Sequence, residues 1–303
     1  MTQRKTAFVT GASRGIGKVV AVSLARAGFD VAITARSVQP GERREHSPTA
    51  RESDTTPLPG SLSETAAQIE ALGRRVLMLP ADITEAASVA SAATVMLERW
   101  GTPDVLVNCA RHTGAGHMDR LVETPDAGLR AIMEGNFFTP VLLCRMFAPG
   151  MVARGSGVIF NFTSLSAFSD PKMAAGEGGW GLSYGASKAA AHRLAGVLAV
   201  ELPGVLSFNL DPGYTWTERI EQDMAKFGFK AAGRVPPEVT GEVVAWLATH
   251  PEAAQFNGRT IFTPQFCAER NLVAGWDASQ IMPIKSRIDR VGAAVLEGKS
   301  VSD

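Results

Sequence analysis

Thr10-Gly11-Ala12-Ser13-Arg14-Gly15-Ile16-Gly17 decides the fold of this 303-residue chain. The stretch follows the strand-like run at 6–10 and opens a segment in which Ile16, Val20 and Leu24 recur every fourth position, as on one apolar helix face. Gly28 then falls where a helix C-terminus takes a left-handed residue. Glycines between a strand and a helix let the backbone approach a ligand closely. The unpaired N–H groups and the dipole of the helix start then favour a pyrophosphate. Gly11, Ser13, Arg14, Gly15, Ile16 and Gly17 are therefore candidate cofactor contacts, at the carboxyl edge where an open α/β sheet binds dinucleotides.

Outward from this turn, short β-branched runs alternate with helical patterns to about residue 263, the mark of repeated β-α-β units. Strands are expected at 6–10, 31–34, 76–79, 105–108, 157–162, 206–210 and 259–262, most of them apolar throughout, as strands covered on both faces must be. The expected architecture is α/β: a single doubly wound Rossmann domain over residues 1–267, with a seven-stranded parallel sheet and helices on both faces. Residues 37–60 break the rhythm with Pro, Gly, Ser, Thr and mixed charges, and read as a long surface insertion. It ends at Ser61-Leu62-Ser63-Glu64, a capping-box spacing that predicts a helix to about Leu72. Residues 167–182 form a second departure. Residues 268–303 are expected to pack as an extension on the domain or on a neighbouring subunit, because Trp276, Ile281, Met282, Ile284 and Ile288 are too apolar for a disordered tail.

Thirty Lys plus Arg balance thirty Asp plus Glu, so no electrostatic footprint for nucleic acid or an anionic membrane is visible, and a small-molecule partner is expected. No apolar run approaches the ~18 residues of a spanning helix, and the N-terminus shows no secretion signal. Cys109, Cys144 and Cys267 are odd in number and widely spaced, which points away from disulfides and toward a reducing, cytoplasmic location. His112, His117, His192 and His250 form no ligand spacing, so no metal is expected. His112 and His117 do fall in the loop after Asn108, where a substrate contact is the weaker of two readings.

At the end of the second strand the acid that holds the ribose hydroxyls of NAD is replaced by Thr34-Ala35-Arg36. The guanidinium fork of Arg36, with Arg14 as a second positive charge, suits a 2′-phosphate and predicts NADP(H) over NAD(H). Further along, Tyr184-Gly185-Ala186-Ser187-Lys188 places a phenol and an ammonium four residues apart on one helix face. A tyrosine works as an acid or base near neutral pH only when a neighbouring charge stabilises its phenolate. Ser164 ends the strand-like run at 157–162 plus Thr163 and can donate to a substrate oxygen as it gains charge, while Tyr184 donates the proton.

With these motifs assembled, the chain resembles the short-chain dehydrogenase/reductase family over roughly residues 5–265, with weaker likeness to the hydroxysteroid-dehydrogenase-like branch in the segment after the insertion. The carrying motifs are TGASRGIG at 10–17, the ADI segment with Asp82 and Ile83, NCA at 108–110, Asn136, Ser164, YGASK at 184–188 and PGYTWT at 212–217. The resemblance implies a catalytic tetrad: Tyr184 as general acid/base, Lys188 lowering its pKa and holding the nicotinamide ribose, Ser164 orienting the substrate oxygen, and Asn136 fixing a water in the proton relay. It also implies that Asp82 and Ile83 meet the adenine, that Asn108 and Ala110 line the adenosine side, and that Pro212, Gly213, Thr215 and Thr217 meet the nicotinamide and its phosphate. Arg111 departs from the pattern, since the family usually has Gly there. Two readings stay open: a contact to an acidic substrate group, and the favoured one, a guanidinium turned to solvent or to a phosphate.

The resemblance further implies a substrate lid over 214–235, in which Ile220, Met224 and Phe227 share one helix face, and a homodimer or homotetramer built on the helices near 126–148 and 183–202. With Phe168, Met173 and Trp180 expected nearby, the substrate is read as a mostly apolar ketone or secondary alcohol. The alternative function is an NADP(H)-binding sensor or scaffold without turnover, for which a broken tetrad would be the sequence sign.

Overall fold

The protein is described by a computed structural model over residues 4–217, 219–220, 226–227 and 234–281. Its sheet contains β1 (Thr6–Thr10), β2 (Asp30–Thr34), β3 (Val76–Met78), β4 (Val105–Asn108), β5 (Gly157–Phe162), β6 (Val205–Asp211) and β7 (Thr260–Phe262). No strand end differs from its sequence expectation by more than one residue. All pairings are parallel, in the order β3-β2-β1-β4-β5-β6-β7. The order reverses between β1 and β4, and there the two carboxyl edges diverge and leave a crevice.

Alternate residues of each inner strand enter two separate cores. Ala7, Val9, Val31, Ile33, Val105 and Val107 face one, while Phe8, Ala32, Leu106 and Ile159 face the other. The first core is closed by α1 (Gly15–Arg26), α2 (Leu62–Ala71) and α7 (Pro237–Thr249), through Val20, Leu24, Ile69, Val239 and Val243. The second is closed by α3 (Ala86–Trp100) and α5 (Thr139–Arg154), through Val89, Met96, Leu143, Phe147 and Met151. Each such side chain, fully buried, contributes about 1.5–3 kcal/mol, which is why strands with no polar face are stable here. The edge strand β3 is less covered, with Met78 43% exposed.

A five-residue π turn, Glu134–Phe138, joins α4 (Asp126–Met133) to α5, so helix runs unbroken from Asp126 to Arg154. By length and hydropathy this helix is apolar enough to cross a membrane. In the fold, its Leu143, Phe147 and Met151 are fully buried against the sheet, as in a core helix. Two further α-helices among the described residues are α6 (Leu182–Glu201) and α8 (Thr263–Arg270). The boundary expected at residue 267 falls inside α8, and Leu272, Val273 and Trp276 of the expected extension pack on the first core. Met282, Ile284 and Ile288 of the expected extension lie outside the described residues.

The insertion at 37–60 runs back to the Ser61 cap, where the hydroxyl accepts the Glu64 N–H at 3.1 Å. The second half of the expected capping box takes a different form, with Ser61 Oγ donating to the Glu64 carboxylate at 3.0 Å. The group that organises the insertion is the fully buried carboxylate of Asp119, in the loop after β4. It accepts from Thr49 Oγ1, from Ala50 N–H at 2.8 Å and from Gly116 N–H at 2.7 Å. The insertion is thereby tied to the loop that follows β4.

Candidate active site

Close backbone packing shapes the turn after β1. Thr10 Oγ1 donates to Val107 O at 3.2 Å and accepts the N–H groups of Cys109 and Ala110, each at 3.0 Å, so the turns after β1 and β4 are pinned together. Gly11, at φ +73°, lies so near Ala110 that a Cβ would stand 2.8 Å from its Cα. A Cβ on Gly17 would stand 2.3 Å from the Gly11 carbonyl oxygen. The N-cap residue of α1, Arg14, makes no side-chain capping hydrogen bond, and N–H groups at such a helix start suit an anionic ligand. Glycines that admit no side chain, beside such a helix start, fit the pyrophosphate of a dinucleotide.

One cleft of about 310 Å³ runs from this turn across the carboxyl edge of the sheet. Gly11, Ser13, Arg14, Gly15, Ile16 and Gly17 line it, as do Arg36, Ile83 and Ala110. So do Pro212, Gly213, Thr215 and Thr217. Two expected contacts are placed differently. Asn108 is buried and donates to Asn161 Oδ1 at 2.9 Å, joining the ends of β4 and β5 behind the cleft wall. Asp82 stands beside the lining residues Ala81 and Ile83, with its carboxylate accepting from Thr84 N–H at 2.9 Å and lying 3.8 Å from Arg36. Arg14 donates to Pro59 O, Gly60 O and Ser37 Oγ, and so holds the insertion as well as lining the cleft. Arg36 is held more loosely, by Asp82 and a 3.4 Å contact to Glu45 O.

At the far end of the cleft stand Ser164, Tyr184 and Lys188. Lys188 is buried and donates from Nζ to Phe162 O at 2.8 Å, which fixes the ammonium beneath the phenol. Burial raises the pKa of Tyr184, but the Lys188 ammonium, the Arg111 guanidinium and a hydrogen bond from Ser164 outweigh it and leave the phenol below its ordinary value. Burial also lowers Lys188, and the phenolate charge partly offsets this. Asn136 is buried within the π turn. Its Oδ1 accepts the His112 N–H at 2.7 Å and its Nδ2 donates to Ser187 Oγ at 3.1 Å. The side-chain amide thus joins the loop after β4 to α6. Ser164, Tyr184 and Lys188 thus share one end of the cleft, whereas Asn136 is not among its lining residues and reaches α6 through Ser187.

Other residues differ from expectation. Phe168 packs edge-on against His192, Met173 is 56% exposed, and Trp180 lies against Gly185, so none of the three lines the cleft. Of the segment expected to form a lid, Ile220 lines the cleft and Phe227 is buried, whereas Met224 lies outside the described residues. His117 stacks on the Tyr184 ring at 4.4 Å between centroids, and burial holds its imidazole well below the usual range. Cys109 lines the cleft, but burial pushes its thiol up to about 12 and keeps it protonated. Sequence reasoning missed Asp211 and Arg219, both cleft-lining. Asp211 was open to discovery, because it closes β6 directly before Pro212-Gly213.

A doubly wound sheet with a glycine turn at its switch point and a Ser-Tyr-Lys constellation beside it defines a class of nicotinamide-dependent oxidoreductase. The family model described as short chain dehydrogenase matches residues 5–59 and 57–226, and the chain belongs to that family. It is 29% identical over 293 residues to Short chain dehydrogenase mpl6 of Monascus purpureus, covering 94% of this chain and 85% of that protein. It is 28% identical to Short-chain reductase protein NovJ of Streptomyces niveus, covering 86% of this chain and 93% of NovJ. Among solved structures, a metagenomic short-chain oxidoreductase in complex with NADP superposes with a TM-score of 0.64 at 28% identity, over 85% of this chain and 96% of the other. An alcohol dehydrogenase from Thermococcus sibiricus complexed with 5-hydroxy-NADP gives 0.64 at 26% identity, over 85% and 95%.

Proposed function

We propose that the protein is an NADP(H)-dependent oxidoreductase acting on the carbonyl/secondary-alcohol pair of a small molecule, with Tyr184 as general acid/base. The observation that carries this reading is the grouping of Ser164, Tyr184 and a Lys188 ammonium fixed on Phe162 O in the same cleft that holds the glycine turn, and the direction of the Tyr184 shift agrees with it. When bound, the nicotinamide supplies or accepts the hydride. The chain's own residues would do the rest. Ser164 orients the carbonyl oxygen, Tyr184 delivers a proton to it as negative charge develops, and Lys188 stabilises the phenolate left behind.

The preference for NADP(H) over NAD(H) is supported by Arg36 in the cleft wall, with no acid at the end of β2. Two relatives of known structure, in complex with NADP and 5-hydroxy-NADP, point the same way. An apolar body for the substrate rests on Phe162 and Ile220, since Phe168, Met173 and Trp180 give it no support. A cytoplasmic, reducing location is supported by the three free thiols. Pairing of two copies through α5 and α6 is supported by Phe138, Leu182, Val197 and Val200, 50%, 53%, 47% and 86% exposed.

The test is NADPH oxidation across a panel of ketones, aldehydes and quinones, with Tyr184→Phe beside the unaltered protein. Turnover that disappears in the variant is expected; equal turnover in both would overturn the reading.

A further inference from the structure

The cleft as a whole holds more positive charge than the Tyr184–Lys188 pair supplies. Among the described lining residues, Arg14, Arg36, Arg111, Lys188 and Arg219 are cationic, and Asp211 is the one carboxylate. Most of these charges are engaged elsewhere. Arg14 binds the insertion, Arg36 faces Asp82, Lys188 is tied to Phe162 O, and Arg219 donates to His46 O. The Asp211 carboxylate accepts the Gly213 N–H at 2.8 Å.

Arg111 is different. Its guanidinium carbon stands 5.9 Å from the centroid of the Tyr184 ring, and among the described residues it makes no hydrogen bond or ion pair. Its backbone is nevertheless fixed on both sides. The Ala110 N–H donates to Thr10 Oγ1 at 3.0 Å, and the His112 N–H donates to Asn136 Oδ1 at 2.7 Å. A rigid loop therefore presents an exposed fork of N–H donors next to the group that must meet the carbonyl. Such a fork matches a carboxylate with two parallel hydrogen bonds.

We propose that Arg111 anchors a carboxylate of the substrate, so that the substrate is an oxo acid, or the matching hydroxy acid, whose carboxylate lies a few bonds from the reacting carbon. This rests on the oxidoreductase reading of the same site and adds an anionic end to the substrate. The carboxylate held at Arg111 sets the register that brings the carbonyl oxygen to Ser164 and Tyr184. A neutral ketone of the same size lacks that anchor.

The experiment reads binding at equilibrium with the cofactor in place. The protein–NADPH complex is titrated with benzoate and, separately, with benzamide, following nicotinamide fluorescence, for the unaltered protein, Arg111→Gln and Arg111→Lys. Benzoate is expected to bind about tenfold or more tightly than benzamide, the scale of one charge-assisted hydrogen-bonded pair. Arg111→Gln is expected to bring the two within about twofold, and Arg111→Lys to keep part of the difference, because its ammonium retains the charge without the fork. Equal binding of benzoate and benzamide to the unaltered complex would overturn the proposal, as when the guanidinium is taken up by a cofactor phosphate. A loss in Arg111→Gln that falls equally on both compounds would overturn it too. No turnover is needed, so the two readings fail separately. An Arg111-dependent preference for benzoate with no NADPH oxidation on any carbonyl compound would strike the oxidoreductase reading and sustain the anion site. Turnover of neutral ketones with no such preference would do the reverse.

Discussion

Gly17→Ala gives the sharpest structural test of the cofactor turn. A methyl group at Gly17 would stand 2.3 Å from the Gly11 carbonyl oxygen, 2.7 Å from its carbon and 3.2 Å from Thr10 O, all of them backbone atoms that cannot rotate away. Ordinary carbon–oxygen contacts begin near about 3.3 Å, so α1 and the turn must separate by about 1 Å. Overpacking of this kind costs about 1–3 kcal/mol, and in large domains each kcal/mol lowers Tm by about 2–4 °C. The displaced atoms are those expected to hold the pyrophosphate, and Gly11 N–H also donates to Thr34 O at 2.8 Å, so the shift reaches the end of β2. NADPH affinity should fall about tenfold or more, the equivalent of about 1.4 kcal/mol. Thermal unfolding with and without NADPH, together with a fluorescence titration, reads both effects. Gly28→Ala serves as the control, since Gly28 has φ +103° and nothing within 4 Å of a Cβ. It should lose about 1–2 kcal/mol of stability through backbone strain alone and keep the NADPH affinity. A Gly17→Ala protein that melts with the unaltered one and binds NADPH within about twofold would refute the packing argument.

Arg36→Ala should weaken NADPH by about tenfold or more while NADH changes little, as the loss of one charged hydrogen-bond partner to a phosphate predicts; parallel losses in two fluorescence titrations would contradict this. Asp30 is fully buried and paired with Arg75 at 2.6 Å. Burial raises its pKa, but the Arg75 hydrogen bonds and charge prevail and leave it lowered. Its stabilisation is therefore present above the unfolded value of about 3.9 and fades as pH falls through the lower folded value. Asp30→Asn should lower Tm at pH 7, with a gap that narrows as the pH is taken toward 3; a gap independent of pH would count against the pair. Asp119→Asn removes the buried carboxylate that gathers Thr49, Ala50 and Gly116. Limited proteolysis should then cut within residues 37–60 faster than in the unaltered protein, and an unchanged cleavage pattern would show that the insertion is held by other contacts.

What the sequence made legible follows from range. The glycine turn, the seven strands and the Tyr184/Lys188 spacing are local patterns, each decided within about ten residues by periodicity or by backbone need. Residues whose roles depend on partners far along the chain were not legible in the same way. Asn108 was expected in the cleft but is drawn behind it by Asn161, 53 residues on. Phe168, Met173 and Trp180 carry the composition of a pocket wall, yet the loop from 167 to 182 directs them to His192, to solvent and to Gly185. The stack of His117 on Tyr184 and the clasp of Asp119 on the insertion join segments whose relation only the tertiary fold determines. Arg111 was visible as a departure from the family pattern, and its setting beside the Tyr184 phenol became visible only in the fold.

The central claim is that Lys188 acidifies the Tyr184 phenol, and the chain is suited to a direct test because it has two tyrosines, Tyr184 and Tyr214. In a Tyr214→Phe background the ultraviolet absorbance of tyrosinate reports Tyr184 alone as pH is raised. The midpoint should lie below the ordinary value of about 10. In Tyr214→Phe/Lys188→Met it should move above that value, because burial then acts with less positive charge to oppose it. A midpoint at or above about 10 that does not respond to loss of Lys188 would contradict the account.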